Sequence, residues 1–486
     1  MLVGVLKTTH EYPELLNRVE QLTLHSYEAD EKTWINLIET LPNVRDFYYI
    51  GGLYQVLTNN YIPKPPWCKN IERIIIDSSH RIVDNLLLNN LCPNLTDLNL
   101  YCNDNNFTRF LKNTPALETL TLCSEPVEYD DINKLHELVP NLKTLRLRDK
   151  LLMGEALNSH ITPAYSITRL VLNLLEMPNL LMELELMHYI IKKYPNLVEL
   201  IFDTYFITEN NEEKETLHRI GWDPLLKNLA PTLRKLHISY TSKVQNLLET
   251  LDKHKCQIDN LKIENLTKME FPNFAQSQQA LYIRTLILCN VKFESLEWIK
   301  DMKVLETLEV RVNQYENPPH FDFNDIVDYA PPTLTSLAFT NVALTSKLIS
   351  VKQSNIETLE FIMSRLSQDI VRFIDRHFPQ LTDLTIKQCQ HQIKTITLRS
   401  VELNSFYYVV GKYVNEVHAL VRTLYDGEER LYSTRGEQHR TRYQSYYEDY
   451  NGIHHPPVKS QPADNIKIKP DISLCCYKVA NVILHV

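Results

Sequence analysis

Glycine is scarce in this chain: nine residues in 486, with Gly51-Gly52 the only adjacent pair. That shortage leaves neither G-x-G-x-x-G nor G-x-x-x-x-G-K-[ST], so no phosphate-cradling loop is expected. G-x-S-x-G and H-E-x-x-H are missing as well. The nine cysteines stand mostly isolated, with no C-x-x-C and one adjacent pair, Cys475-Cys476, which fits a reducing compartment. No apolar run approaches the length of a membrane span, and residues 1–5 are too short for a signal-peptide core. A cytoplasmic protein is expected, with the nucleus as a second compartment and no membrane partner. A net charge of −9 lacks the basic balance of a nucleic-acid scaffold. The 17 histidines are scattered, and His454-His455 beside Pro456-Pro457 reads as a solvated loop. Asp322 and Asp325, close to Phe321 and Phe323, read as capping or surface residues. No catalytic constellation, cofactor or metal site is expected.

What the chain has in abundance is one frame, Φ-x-x-Φ-x-Φ, with Φ aliphatic or aromatic. Its copies begin at Val19, Val44, Ile71, Leu95, Leu117, Leu142, Ile167, Leu197, Leu233, Ile258, Ile283, Leu305, Leu334, Ile356, Leu381 and Ile393. At 44% hydrophobic content, one such triplet arises by chance roughly once in twelve placements, so single copies carry little weight. Their spacing of about 25 residues carries the inference, because a fixed period is the mark of stacked repeats. The predicted fold is an α/β leucine-rich repeat solenoid of about sixteen units.

Proline supplies a second signal in the same phase. Pro42, Pro93, Pro115, Pro140, Pro195, Pro231, Pro332 and Pro379 each stand two residues before the first Φ. Proline ends a preceding helix and biases its neighbour toward extended backbone. Helical spacing is readable upstream at Trp34, Leu37, Ile38 and Leu41, at Ile132, Leu135 and Leu138, and at Ile370, Phe373, Ile374 and Phe378. Each unit is therefore read as helix, proline and short strand, with parallel strands on a concave side and helices on a convex side. The longest intervals, Ile167 to Leu197 and Leu197 to Leu233, predict insertions, with residues 209–215 as a polar surface loop.

The string Cys92-Pro-Asn-Leu-Thr-Asp-Leu-Asn-Leu100 resembles the C-P-x-L-x-x-L-x-L signature of cysteine-containing leucine-rich repeats of F-box proteins. Pro140-Asn-Leu-Lys-Thr-Leu-Arg-Leu147 and Pro195-Asn-Leu-Val-Glu-Leu200 repeat it without the cysteine, which is replaced by Thr114, Val139, Tyr194, Ala230 and Phe378 elsewhere. Residues 2–24 also resemble the segment that follows the F-box in fungal proteins of this kind. The resemblance implies a substrate receptor of an SCF-type ubiquitin ligase, whose repeats select a client and whose F-box docks the ligase adaptor. No L-P-x-E-I-type run precedes the first repeat, so the adaptor is an expected partner only if an F-box lies upstream. A stand-alone repeat protein that binds its client without the ligase is the alternative. A GTPase-activating repeat protein is another, although those repeats are longer and no exposed Arg-Asn pair stands out.

On each strand the residues flanking the second and third Φ are expected to line the concave face, the default binding surface of a solenoid. Its central file reads Thr23, Tyr48, Ile75, Asn99, Thr121, Arg146, Val171, Ile201, His237, Lys262, Ile287, Glu309, Ala338, Glu360, Thr385 and Thr397, flanked by Tyr101, Arg148, Arg169, Asp203 and Arg311. Arg146, Arg148 and Arg169 form a candidate basic patch for an acidic or phosphorylated segment, and Tyr48 and Tyr101 are candidate aromatic anchors. Asp203, His237 and Arg311 complete the candidate client-binding residues of an expected monomer. The repeat array is assigned to residues 1–402 and a Tyr-rich C-terminal part to 403–486. There Val410, Val414, Val417 and Leu420-Val421 predict a capping helix, residues 426–464 a polar disordered stretch, and residues 466–486 an added strand.

Overall fold

The computed structural model describes residues 18–25, 41, 43–50, 67–76, 92–102, 108–124, 127–148, 152–153, 161–174, 180–204, 211–239, 244–269, 274–291, 297–312, 318–346, 352–387, 390–391, 395–409, 416–425, 428–437 and 472–485. The chain divides into two compact units. The first holds residues 1–242 and 253–257, the second 243–252 and 258–486.

The first unit is a parallel ladder of β1 (Gln21–His25), β2 (Asp46–Ile50), β3 (Arg73–Ile76), β4 (Asp97–Cys102), β5 (Thr119–Ser124), β6 (Thr144–Arg148), β7 (Arg169–Leu174), β8 (Glu199–Thr204) and β9 (Lys235–Ser239), paired in chain order. From Val44 to Leu233 the first Φ of every frame is fully buried just before its strand, and Phe47, Leu98, Leu145 and Leu200 show the same for the second Φ. These are leucine-rich repeats. A backbone device repeats with them: the carbonyl of the residue after the first Φ accepts two successive N–H groups of the next repeat. Glu118, for example, accepts from Lys143 (2.8 Å) and Thr144 (3.0 Å). The asparagine of the Pro-Asn-Φ string adds a side-chain bond to the preceding repeat, Asn94 Nδ2 to the Lys69 carbonyl and Asn141 Nδ2 to that of Pro115. The signature-cysteine position is buried where it holds Cys92, Thr114, Val139, Tyr194 or Phe378 and half-buried where it holds Ala230.

Helices α1 (Thr108–Leu111), α2 (Tyr129–Leu138), α3 (Leu180–Lys193), α4 (Asn211–Leu217) and α5 (Asp223–Leu229) connect these strands. Ile132 and Leu135 of α2 are buried, as their spacing predicts, whereas Leu138 is half-buried. The expected loop at 209–215 is instead helical from Asn211 onward. Glu212 and Glu213 in its first turn suit the positive end of a helix, and Leu217 is buried. A π-helical turn, His218–Trp222, joins α4 to α5 and buries Trp222 edge-on against Phe202, ring centroids 5.2 Å apart. Gly221 lets the turn pack closely there: a Cβ would lie 2.5 Å from Met187 Sδ, so a larger residue would displace that side chain.

Helices α2 and α3 also enclose a polar cluster. Asn133 Oδ1 accepts from the Tyr189 hydroxyl (3.1 Å) and from Lys193 Nζ (2.8 Å), while Lys193 also donates to the Thr162 carbonyl (2.8 Å). His136 Nε2 lies 3.1 Å from the Tyr194 hydroxyl. Burial pushes the Lys193 amine down to about 8 and the His136 imidazole down to about 3.

In the second unit, β10 (Asn260–Met269), β11 (Thr285–Val291), β12 (Thr307–Arg311), β13 (Ser336–Thr340), β14 (Thr358–Ile362) and β15 (Asp383–Lys387) continue the same parallel pattern. Helices α6 (Val244–Lys253, all but its last residue), α7 (Phe323–Tyr329) and α8 (Gln368–His377) belong to this unit, and Ile370, Phe373, Ile374 and Phe378 are buried as expected. The Asp322 side chain caps α7, its Oδ1 accepting from the Asn324 N–H at 3.0 Å.

The C-terminal part departs from expectation. Strand β15 pairs with Ser405–Val409 of β16 (Thr395–Val409), not with Thr395–Leu398, which pair instead with β19 (Ile472–His485). The repeat after Leu381 is therefore the frame Leu403-Asn-Ser-Phe406-Tyr-Tyr408, and the Ile393 frame is set aside. An interval as short as that from Leu381 to Ile393 leaves too little chain to return to the start of a neighbouring parallel strand. Val410 and Val414 lie outside the described residues. Val417, Leu420 and Val421 fall in β17 (Glu416–Tyr425), where the predicted capping helix does not form. That strand is paired on both sides, antiparallel to β18 (Glu428–Glu437) and parallel to β19, so ladder bonding prevails over helical spacing there. Strand β18 also replaces part of the predicted disordered stretch, whose remainder lies outside the described residues, as does His454-His455. The C-terminal added strand is present as β19.

Candidate functional site

Because successive side chains of a strand point to opposite faces, burying the second and third Φ leaves the alternate residues of each strand on the open face. The central row is in register through the first unit: Tyr48 opposite Ile75, then Asn99, Thr121, Arg146, Val171, Ile201 and His237. In the second unit it runs Lys262, Ile287, Glu309, Ala338, Glu360 and Thr385, and its next member is Tyr407 in place of the expected Thr397.

Four of the eight predicted binding residues, Tyr48, Arg169, Asp203 and Arg311, are engaged by neighbours. The Tyr48 hydroxyl accepts from Arg73 Nη1 at 3.1 Å, and Arg73 lies between Asp46 (3.6 Å) and Asp97 (3.5 Å). Arg169 Nε is 3.1 Å from Glu199 Oε1, so it does not extend a patch of free charge with Arg146 and Arg148. Its place is also different: Arg169 pairs with Thr144 and Glu199 in the row before the central one. Asp203 Oδ1 accepts from the Ser239 hydroxyl at 2.6 Å. Arg311 donates to Glu309, and this contact holds its guanidinium above its ordinary value. His237 sits on the central row across from Ile201. The backbone of Tyr101 pairs with Cys123, and its side chain lies outside the described residues.

Arg146 and Arg148 remain. Arg146 is half-buried and Arg148 exposed, and neither makes an ion pair within 4 Å among the described residues. Burial, then the charges of Arg169 and Arg148, push the Arg146 guanidinium below its ordinary value, with Asp97 and Glu199 opposing. Both carboxylates are already engaged, by Arg73 and Arg169.

Sequence reasoning missed Arg73, which pairs with Asp46 and Asp97, and Lys387, which pairs with Glu360; it placed Lys262 in the central row but not its partner Glu264. Aligning the strands by their second Φ places Asp46, Arg73 and Asp97 side by side, a signal that the residue order alone contains. In the second unit the Cys289 thiol lies 3.7 Å from Glu264 Oε1, and burial ahead of that carboxylate pushes it up to about 12. Among the described residues no group of three or more His, Cys, Asp or Glu side chains is placed to hold a metal ion, and no helix is long and apolar enough to cross a membrane.

No protein-family model matches the chain, and no curated protein matches it. Among solved structures it is similar to an internalin from Listeria monocytogenes, at 15% identity and a TM-score of 0.34, over 71% of this chain and 88% of the internalin chain.

Proposed function

We propose that this protein is an interaction scaffold that holds a client protein on the open face of its repeats, as the substrate-recognition part of an SCF-type ubiquitin ligase. The supporting observation is the register of that face. One side chain per repeat is carried into the same row, strand after strand, on a backbone pinned by doubly bonded carbonyls. Such preorganised rows present a wide surface with no backbone ordering cost at each contact. Tyr48, Tyr101, Arg146, Arg148, Arg169, Asp203 and His237 are the proposed client-facing residues of the first unit, and Arg311 that of the second. The ligase assignment draws on the F-box repeat signature around Cys92.

The test is affinity purification of the tagged full chain from its native cells, followed by crosslinking and mass spectrometry. A single client crosslinked to strand residues, recovered with a ligase adaptor, is expected. A client without the adaptor reduces the reading to a stand-alone scaffold. Crosslinks confined to the helices would overturn the open face as the binding surface.

A further inference from the structure

Positive charge on the open faces is balanced almost everywhere it occurs. Arg73 sits between two aspartates, and Arg169, Lys262, Arg311 and Lys387 each have a glutamate partner. Lys235, without an ion pair among the described residues, still stands directly across the strand pair from Glu199. Arg146 and Arg148 break the pattern. Their register neighbours are Thr121 and Val171 for Arg146, Cys123 and Asn173 for Arg148, none of them charged. Thr121 and Val171 are buried although they belong to the central row, as expected where a long arginine stem lies over smaller neighbours.

We propose that Arg146 and Arg148 read an extended segment of a client whose negatively charged side chains stand two residues apart. This rests on the open face being the binding face. Residues two apart on one strand point the same way, about 6.6 Å from each other. An extended peptide repeats that spacing on its own alternate side chains, so two guanidinium forks meet two anionic groups in one register. Arginine bonds carboxylate and phosphate oxygens through paired N–H donors, so Asp or Glu and phosphoserine share the required chemistry. A half-buried cation lacking a partner is unfavourable, and an anion placed there gains more than on a fully hydrated surface. A nucleic-acid backbone is a poor occupant, since two free arginines on a chain of net charge −9 neutralise few phosphates.

The experiment is fluorescence anisotropy with the full-length protein and three labelled peptides of otherwise uncharged sequence. One carries Glu-x-Glu, one phosphoserine-x-phosphoserine, and one two adjacent glutamates. The expected result is binding of at least one alternate-spaced peptide, weaker binding of the adjacent-spaced one, and loss of affinity as salt rises. Comparing the first two identifies the anion. Arg148→Gln should weaken binding about tenfold, the scale of one charge-assisted bond, and Arg146→Gln with Arg148→Gln should abolish it. Arg284→Gln, which removes an exposed cation paired with Glu306 in the second unit, should change nothing. Circular dichroism checks the fold. If the double variant fails to fold, Arg148→Gln decides alone, because that exposed side chain makes no ion pair among the described residues. Binding equal in Arg148→Gln and wild type, or no binding of either alternate-spaced peptide, overturns the proposal. Client crosslinks that persist on the open face in Arg148→Gln would then leave the scaffold reading standing. Crosslinks absent from the open face of the wild type would remove that reading instead.

Discussion

Burial of Glu183 in α3, with Oε2 lacking a hydrogen-bond partner among the described residues, pushes its carboxyl up to about 8. The unfolded chain releases this proton near the ordinary value of 4.5, whereas the native protein holds it until about 8. Between those values the unfolded state binds fewer protons, so stability falls as pH rises. His136 works from the other side. Its folded value of about 3 lies below 6.5, so the stability it permits is lost as pH falls through that interval. Glu183→Gln should remove the alkaline-side decline and raise stability at pH 8 on the order of a few kcal/mol, read from urea denaturation at pH 5, 6.5 and 8. An unchanged pH slope in this variant would contradict the assignment. None of this was legible in the sequence, where Asn133 and His136 occupy the helix face that ordinarily meets solvent. Their burial depends on Tyr189, Lys193 and Tyr194, more than fifty residues later in the chain.

At the scale of elements, α7 shows what local pattern can and cannot carry. The cap was legible: Asp322 precedes the helix and its carboxylate accepts the Asn324 N–H. What α7 packs against was not. Phe323 faces four phenyl rings, of Phe339, Phe361, Phe373 and Phe378, with centroids between 5.5 and 6.2 Å away. They come from two strands, from α8 and from the residue after it. Phe323→Ala should cost about 3–5 kcal/mol, because the void is walled by rings that cannot all collapse into it. Chemical denaturation measures this, and a loss below about 1 kcal/mol would mean that the cluster is loosely packed. At the C-terminus the local pattern misled. Val417, Leu420 and Val421 fit a helical face, yet β17 is paired on both edges, and strand pairing is a non-local choice that residue spacing does not encode.

For the molecule as a whole, repeat stacking makes stability a sum of units and of the interfaces between them. Leu145, fully buried on β6 between β5 and β7, belongs to three repeats at once. Leu145→Asp places an unpaired charge in that shared core and should destabilise by more than about 4 kcal/mol. Hydrogen exchange should show protection lost first across Thr119–Ser124, Thr144–Arg148 and Arg169–Leu174, while Ser336–Thr340 and Asp383–Lys387 in the second unit retain theirs. A loss confined to β6, or a melting curve equal to wild type, would contradict the shared core.

Period and phase are properties of the chain itself, so the frames from Val44 to Leu381, the buried Φ positions and the rows of the open face could all be written from the sequence. An apolar residue recurring every repeat has one place to go, the core that the next repeat closes. Only the tertiary structure decided which arginines are free. Arg146, Arg148 and Arg169 look alike in the sequence, but charge compensation depends on the residue across the strand pair. Glu199 takes Arg169, whereas the register neighbours Thr121, Val171, Cys123 and Asn173 carry no charge, and the other two make no ion pair among the described residues. The final repeat was decided the same way. Both the Ile393 and Leu403 frames satisfy the pattern, and backbone pairing of Asp383–Lys387 with Ser405–Val409 selects the second, because hydrogen bonds between strands form on one register at a time.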